Sequence, residues 1–312
     1  MPSPLLSQKG KAVLLTILAG VLWGTSFPII KIGLNTIDPF AFVFWRFLVS
    51  SVTMVVVMLL LGKLQFKIAN KKLLVFLGIA NGAGYLLQYG AMGYTSVAKA
   101  ALFINLSAIW VAILSPRLLG DHFSRKKIAG VLFGLAGIVF VSTNLNFQLL
   151  VEGRAIADLM LIVSGVAWAL FMIYNKKLIT SSASATFQWM TWVLLFTLLS
   201  IVPFTFLAET GFFTLSIWAW AAVVYTAIAC WVIPYYLWLE GLKHLSASTS
   251  TILLLSEIVV AVVASVLVLK EPVTVFSTVG ALFIVISIVL VSVKDNGLGQ
   301  KNKKSDVFLE DA

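Results

Sequence analysis

Residues 39–61 read PFAFVFWRFLVSSVTMVVVMLLL. A membrane-crossing helix needs about 20 mostly apolar residues, and this run supplies them with Arg46 as its single charge. Its second half, Val52 to Leu61, lacks the apolar–polar alternation that a strand of a membrane barrel would show. The stretch therefore reads as a helix in lipid. Nine more runs of the same kind lie roughly at 12–33, 72–92, 97–115, 127–144, 156–177, 184–207, 217–240, 247–269 and 273–293. The connections are too short to hold a soluble domain. Over all 312 residues, 61% are hydrophobic and 11% charged, whereas soluble domains run near 45–50% and about 25%. Too little polar surface remains to cover an aqueous core. Disorder is excluded by the same numbers, and a disulfide scaffold by the presence of one cysteine, Cys230. The expectation is an all-α integral membrane protein with ten transmembrane helices. Lys9 and Lys11 before the first run imitate a signal peptide, but the run continues past Trp23 and Phe27 to Lys31. That is too long for a signal, so it is read as a retained span.

A net charge of +10 invites a nucleic-acid reading, and the placement of the charges removes it. With the N-terminus in the cytoplasm, one face holds Lys9, Lys11, Lys63, Lys67, Lys71, Lys72, Arg117, Arg125, Lys126 and Lys127. It also holds Lys176, Lys177, Lys243, Lys294, Lys301, Lys303 and Lys304, which makes 17. The other face holds 4, namely Lys31, Lys99, Arg154 and Lys270. This asymmetry obeys the positive-inside rule and supports an even number of spans with both termini cytoplasmic. No basic domain stands behind the charge, so no nucleic-acid partner is expected.

The chain repeats itself weakly. Gly165-Val166-Ala167-Trp168 echoes Gly20-Val21-Leu22-Trp23, and Lys176 echoes Lys31. Further along, Tyr85 pairs with Tyr235, Ser96 with Ser246, Asp121 with Glu271 and Gly130 with Gly280. Five spans per unit is an odd number, so the second unit must enter the membrane from the opposite side, an arrangement recurrent in secondary transporters. The expected organisation is an N-tail at 1–11, a first repeat at 12–150, a second at 151–293 and a C-tail at 294–312.

Residues 20–27, GVLWGTSF, resemble the opening signature of the drug/metabolite transporter superfamily, EamA branch. Trp45-Arg46-Phe47-Leu48, residues 89–96 (YGAMGYTS), Gly120-Asp121 and Lys270-Glu271 are similar to further motifs of that family in order and spacing. The resemblance covers about residues 12–293. It implies a ten-helix carrier that moves small metabolites, often amino acids or related compounds, outward by alternating access, in a bacterial or archaeal plasma membrane. The family often has Pro in spans four and nine, where this chain has Ala108 and Ile258. Any kink that such a Pro provides is thereby in question.

Charges in the hydrocarbon core cost several kcal/mol unless partnered or hydrated, and so are functional candidates. Glu257 sits near the centre of span nine. It can bind a substrate ammonium or load and release a proton, and its structural alternative is a carboxyl that locks helices together. Arg46, the other intramembrane charge, reads first as structural, bound to helix-end carbonyls or a carboxylate. Lys99, where the resemblance implies a small residue, can hold an anionic group at the cavity mouth or snorkel to the interface.

Asn81, Tyr85, Gln88 and Tyr89 share one face of span three. Span eight carries Trp231, Tyr235, Tyr236 and Trp238. Asn81, Tyr85, Gln88 and Tyr235 are expected at a central cavity, with Trp23 and Trp168 lining its two ends. Aromatic walls suit an amine through cation–π contact. Trp218, Trp220 and Trp238 are expected as interfacial anchors, and Asn175 and Tyr174 at an interface beside Lys176. Pro28 and Pro234 interrupt spans one and eight and are candidate hinges. Gly78, Gly82, Gly130, Gly134 and Gly137 provide faces for close helix approach.

Enzyme chemistry is not expected. His122 and His244 fall in short connections without a metal-ligand motif, and no phosphate-cradling GxxxxGK[ST] loop is present. No cofactor or metal is implied. The expected partners are a small-molecule substrate and membrane lipid, with proton coupling as a candidate and a monomer or dimer as the assembly. Two rivals stay open at this point: an anion exchanger for phosphorylated metabolites or nucleotide sugars, which needs several basic cavity residues, and a non-transporting membrane enzyme or scaffold.

Overall fold

The protein is seen here as a computed structural model describing residues 7–65, 70–92, 94, 97–121, 124–150, 154–181, 186–208, 212–270 and 272–292. Among the described residues ten helical spans are long and apolar enough to cross a membrane, and there is no strand. Spans one to three are α1 (Gln8–Leu34), α2 (Pro39–Leu60) and α3 (Lys71–Met92). Span four is split into α4 (Val97–Asn105) and α5 (Ser107–Leu119). Then come α6 (Arg125–Thr143), α7 (Ala155–Ser181) and α8 (Thr186–Ile201). Span eight comprises α9 (Ile217–Ala227), a π-turn at Ile228–Val232, and α10 (Ile233–Leu242). Span nine is split into α11 (Ala247–Leu254) and α12 (Ser256–Leu269), and α13 (Val275–Ser292) closes the bundle.

Helix ends follow local chemistry. The Ser7 hydroxyl accepts from the Gly10 N–H at 3.1 Å, so α1 starts before its first apolar run. The Asp38 carboxylate accepts from Phe40 N at 2.8 Å, with Pro39 in the first turn where its missing N–H costs nothing. Span four continues through Pro116 to Gly120, whose φ of +69° makes the left-handed turn that ends it.

Spans four and nine are both broken, without proline. Leu106 (φ −59°, ψ −13°) and Leu255 (φ −58°, ψ −13°) have matching backbone angles. At both places the helix tightens to three-residue bonds. Ile109 N donates to Leu106 O at 2.9 Å, and Ile258 N to Leu255 O at 3.0 Å. Both spans are therefore interrupted by a short 3₁₀ step at the places where Ala108 and Ile258 leave out the family's Pro.

Small residues set how closely the spans approach. A Cβ on Gly137 of α6 would lie 2.7 Å from Gly280 O of α13, while the Ser287 hydroxyl donates to Gly130 O at 2.6 Å. A Cβ on Gly24 would lie 2.5 Å from Glu257 O, so α1 lies against the start of α12. Gly20 packs on the span-nine break, where an added Cβ would lie 3.2 Å from Leu254 O, and Gly165 on the span-four break, where one would lie 3.1 Å from Phe103 O. The outer faces carry exposed apolar side chains, among them Leu60, Leu132, Leu267 and Leu282, as lipid contact requires.

Candidate functional site

The two broken spans meet at a cavity of about 100 Å³. Span one contributes Trp23, Ser26, Phe27 and Ile30, span two Arg46, and span three Tyr85 and Gln88. Ile104, Asn105 and Ser107 come from the span-four break. Span six adds Trp168, Phe171 and Met172, and span eight Trp231 and Trp238. The span-nine break completes the wall with Thr251, Leu254, Leu255 and Glu257.

Aromatic rings form most of the wall. Tyr85 meets Trp168 edge-on at 4.8 Å and Trp231 at 5.2 Å. Trp231 approaches Trp23 at 6.0 Å and stacks on Tyr235 at 5.5 Å. Trp238 stacks on Phe171 at 6.0 Å. Ring pairs at such separations gain about 0.5–1.5 kcal/mol each beyond their burial, which favours a preformed wall.

Arg46 is 1% exposed. Its Nη1 donates to the Tyr89 hydroxyl at 2.9 Å and its Nη2 to Cys230 O at 3.2 Å. The guanidinium also lies 4.9 Å from the Tyr85 ring and 5.8 Å from the Trp231 ring. The local sequence accounts for the Cys230 acceptor. Pro234 has no N–H and cannot close the helical bond to the carbonyl four residues earlier; the helix widens into its π-turn, and Arg46 reaches that carbonyl. Arg46 thus ties spans two, three and eight together.

Glu257 stands in the first turn of α12, where the partial positive charge of a helix N-terminus favours an anion. It is half-buried, and no hydrogen bond or ion pair joins it to Arg46 or to any other described residue. Gln88 is likewise half-buried with no hydrogen bond among the described residues.

Of the residues expected at a cavity, Tyr85, Gln88, Trp23 and Trp168 line one cavity together with Glu257 and Arg46. Two stand elsewhere. Asn81 is fully buried against span seven and donates to the Thr197 hydroxyl at 3.0 Å. The Tyr235 hydroxyl donates to Asn175 Oδ1 at 2.9 Å, joining spans eight and six. The repeat places Tyr85 and Tyr235 at matching sequence positions, but only Tyr85 reaches the cavity. Trp238, expected as an anchor, is instead 1% exposed and donates to the Ser250 hydroxyl at 2.8 Å, whereas Trp218 is 80% exposed. Pro28 is buried within a continuous α1, and Pro234 sits in the first turn of α10. Lys99 belongs to α4, but its side chain lies outside the described residues, as do His122 and Glu271.

Sequence reading missed Ser26, Phe171, Met172, Asn105, Ser107 and Thr251. Ser26 lies one turn beyond Trp23 in the GVLWGTSF stretch, and Asn105 is a lone amide in an apolar run; both were detectable signals. Among the described residues no group of three or more His, Cys, Asp or Glu side chains could hold a metal.

Ten apolar helices around a cavity at which two helix breaks meet are the architecture of a multi-pass membrane protein with an internal binding space, and the relatives of the chain are transporters rather than enzymes. The family model described as "EamA-like transporter family" matches residues 10–143 and again 155–293, and the chain belongs to that family. A protein of Archaeoglobus fulgidus called an "Uncharacterized transporter" is 25% identical over 93% of this chain and 100% of its own. A "Probable amino-acid metabolite efflux pump" of Salmonella typhimurium is 24% identical over 72% of this chain and 75% of its own. One solved crystal structure superposes with a TM-score of 0.71 at 18% identity, covering 89% of this chain and 95% of that one. That likeness establishes the fold.

Proposed function

We propose that the chain is a secondary carrier that exports or exchanges small organic solutes, amino acids or related amphipathic compounds, by alternating access. The observation that carries this reading is the meeting of the Leu106 and Leu255 breaks at one cavity that contains an uncommitted carboxylate, Glu257. Discontinuous helices at the interface of repeats are where carriers bind substrate. The Salmonella relative's name supports an amino-acid-related cargo.

Two halves, 12–150 and 151–293, of opposite orientation are part of the proposal. The double family match supports them, as do the matching break angles and the equivalent seats of Gly20 and Gly165. The distribution of basic residues supports cytoplasmic termini. Glu257 is proposed as the group that binds the ammonium of a substrate or exchanges it for a proton. Tyr85, Gln88, Trp23 and Trp168 shape the cargo space, and Arg46 braces it. An anion exchanger is disfavoured because Arg46 is the one basic residue among the described cavity lining and its two amino groups are bonded to Tyr89 and Cys230.

Counterflow in proteoliposomes tests the reading. Vesicles preloaded with a mixture of unlabelled amino acids and amines should accumulate labelled solute only when the protein is present. Absence of exchange for every solute, with a folded protein, would sink it in favour of a scaffold. Repeating the assay without a pH gradient separates exchange from proton-driven transport.

A further inference from the structure

Around the cavity two hydroxyls have already given away their hydrogens, the described cation is held by contacts, and the described carboxyl has no partner. Ser26 Oγ gives its hydrogen to Trp23 O at 2.6 Å, and Thr251 Oγ1 gives its own to Ala247 O at 2.9 Å. Each hydroxyl keeps lone pairs for a ligand. Trp238 donates to Ser250, and the indole N–H groups of Trp23, Trp168 and Trp231 are buried without a hydrogen-bond partner. Arg46 is enclosed by the contacts described above. Glu257 remains half-buried with no partner, while Gln88, Ser107 and Tyr85 can serve either as donor or as acceptor.

From this inventory we infer that the cavity selects organic monocations, amines with an aromatic or apolar body and no carboxylate, over zwitterions and anions. The inference rests on the carrier reading and, among the cargo proposed there, sets amines ahead of the zwitterionic amino acids. An ammonium gains a contact pair with Glu257, lone pairs from Ser26 and Thr251, and the faces of Trp168 and Trp231, which attract cations. Among the described residues a ligand carboxylate finds one cation in the wall, Arg46, whose two amino groups are already bonded to Tyr89 and Cys230, and a buried charge without a partner is strongly unfavourable. Arg46 meets such a carboxylate poorly, because the carbonyl released by Pro234 and the Tyr89 hydroxyl hold its two amino groups while two rings lie against it, and only the buried Nε is left without a hydrogen-bond partner. Pro234 is thus a specificity determinant that acts through Arg46.

Three probes with one phenyl framework and different charge test the idea by equilibrium dialysis against the purified full-length protein. They are 2-phenylethylamine, phenylalanine and 3-phenylpropionate. The amine is expected to bind at least about tenfold tighter than phenylalanine, with 3-phenylpropionate weakest. Glu257→Gln should lower amine binding by about tenfold or more without moving Tm, and Glu257→Asp should keep the order of the three. Pro234→Ala, which returns an N–H to the helix, should narrow the gap between amine and amino acid. Equal or tighter binding of phenylalanine or 3-phenylpropionate overturns the inference, as does binding of none of the three or an unaffected Glu257→Gln. An unchanged gap in Pro234→Ala overturns the part assigned to Pro234. Counterflow judges the carrier reading separately: exchange with a preference for phenylalanine would keep the carrier and discard the charge rule, whereas amine binding without exchange would do the reverse.

Discussion

Arg46 donates from Nη2 to the carbonyl of Cys230 at 3.2 Å, the carbonyl that Pro234 cannot bond. A proline in span eight thereby fixes a cation carried by span two. Removing that cation should be costly. Arg46→Ala leaves the Tyr89 hydroxyl and the Cys230 carbonyl without their donor and strips the rings of Tyr85 and Trp231 of their contact. A loss of about 2–4 kcal/mol is expected, read as a fall in Tm of the detergent-purified protein. Arg46→Lys should recover part of it, since an ammonium can serve one acceptor but not both in the guanidinium's fork.

Glu257 is the opposite case, an ionisable side chain that makes no hydrogen bond or ion pair with any other described side chain. Glu257→Gln should change stability by less than about 1 kcal/mol, because no bond is lost. Substrate counterflow should fall by about tenfold or more. A variant that transports normally would assign Glu257 to packing alone.

Close approach at two glycines separates scaffold from site. Gly24→Ala and Gly137→Ala each place a methyl against a backbone oxygen, at 2.5 and 2.7 Å. Each should destabilise by about 1–3 kcal/mol through overpacking. Only Gly24→Ala is expected to alter the apparent substrate affinity, since it pushes on the backbone of Glu257. Equal affinity changes in both variants would point to a global loosening of the bundle.

The break in span four makes a matched pair of proline substitutions informative. Ala108 lies in the first turn of α5, where proline is tolerated, and Ala112 lies one turn further in. Ala108→Pro should cost no more than about 1 kcal/mol and Ala112→Pro about 3 kcal/mol or more. Thermal unfolding of the two variants decides it.

Orientation is accessible through a single-cysteine scan, because Cys230 is buried and gives little background. Asn35→Cys and Lys63→Cys occupy exposed connections at opposite ends of α2. A membrane-impermeant maleimide should label the first in intact cells and the second only after permeabilisation. The reverse pattern would invert the proposed topology.

Fold class, number of spans and the place of the rare intramembrane charges were legible in the sequence, because hydrocarbon admits few alternatives to a helix about 20 residues long. Arg46, Glu257, Tyr85, Gln88, Trp23 and Trp168 stood out as polar or aromatic residues in apolar runs or repeated motifs, and they line one cavity. Asn81, Tyr235 and Trp238 carried the same signal and went elsewhere than expected. A helix face says that a polar residue needs a partner and leaves open whether that partner is a ligand, Thr197, Asn175 or Ser250. The breaks at Leu106 and Leu255 had no proline to announce them.

By itself the sequence determined that the chain lives in a membrane as ten helices, since composition and run length decide burial in lipid one span at a time. Only the tertiary structure decided which polar groups are committed to one another. Hydrogen bonding is a pairwise matter between spans far apart in the chain: Arg46 meets a carbonyl 184 residues away, and Glu257 meets none of the described side chains.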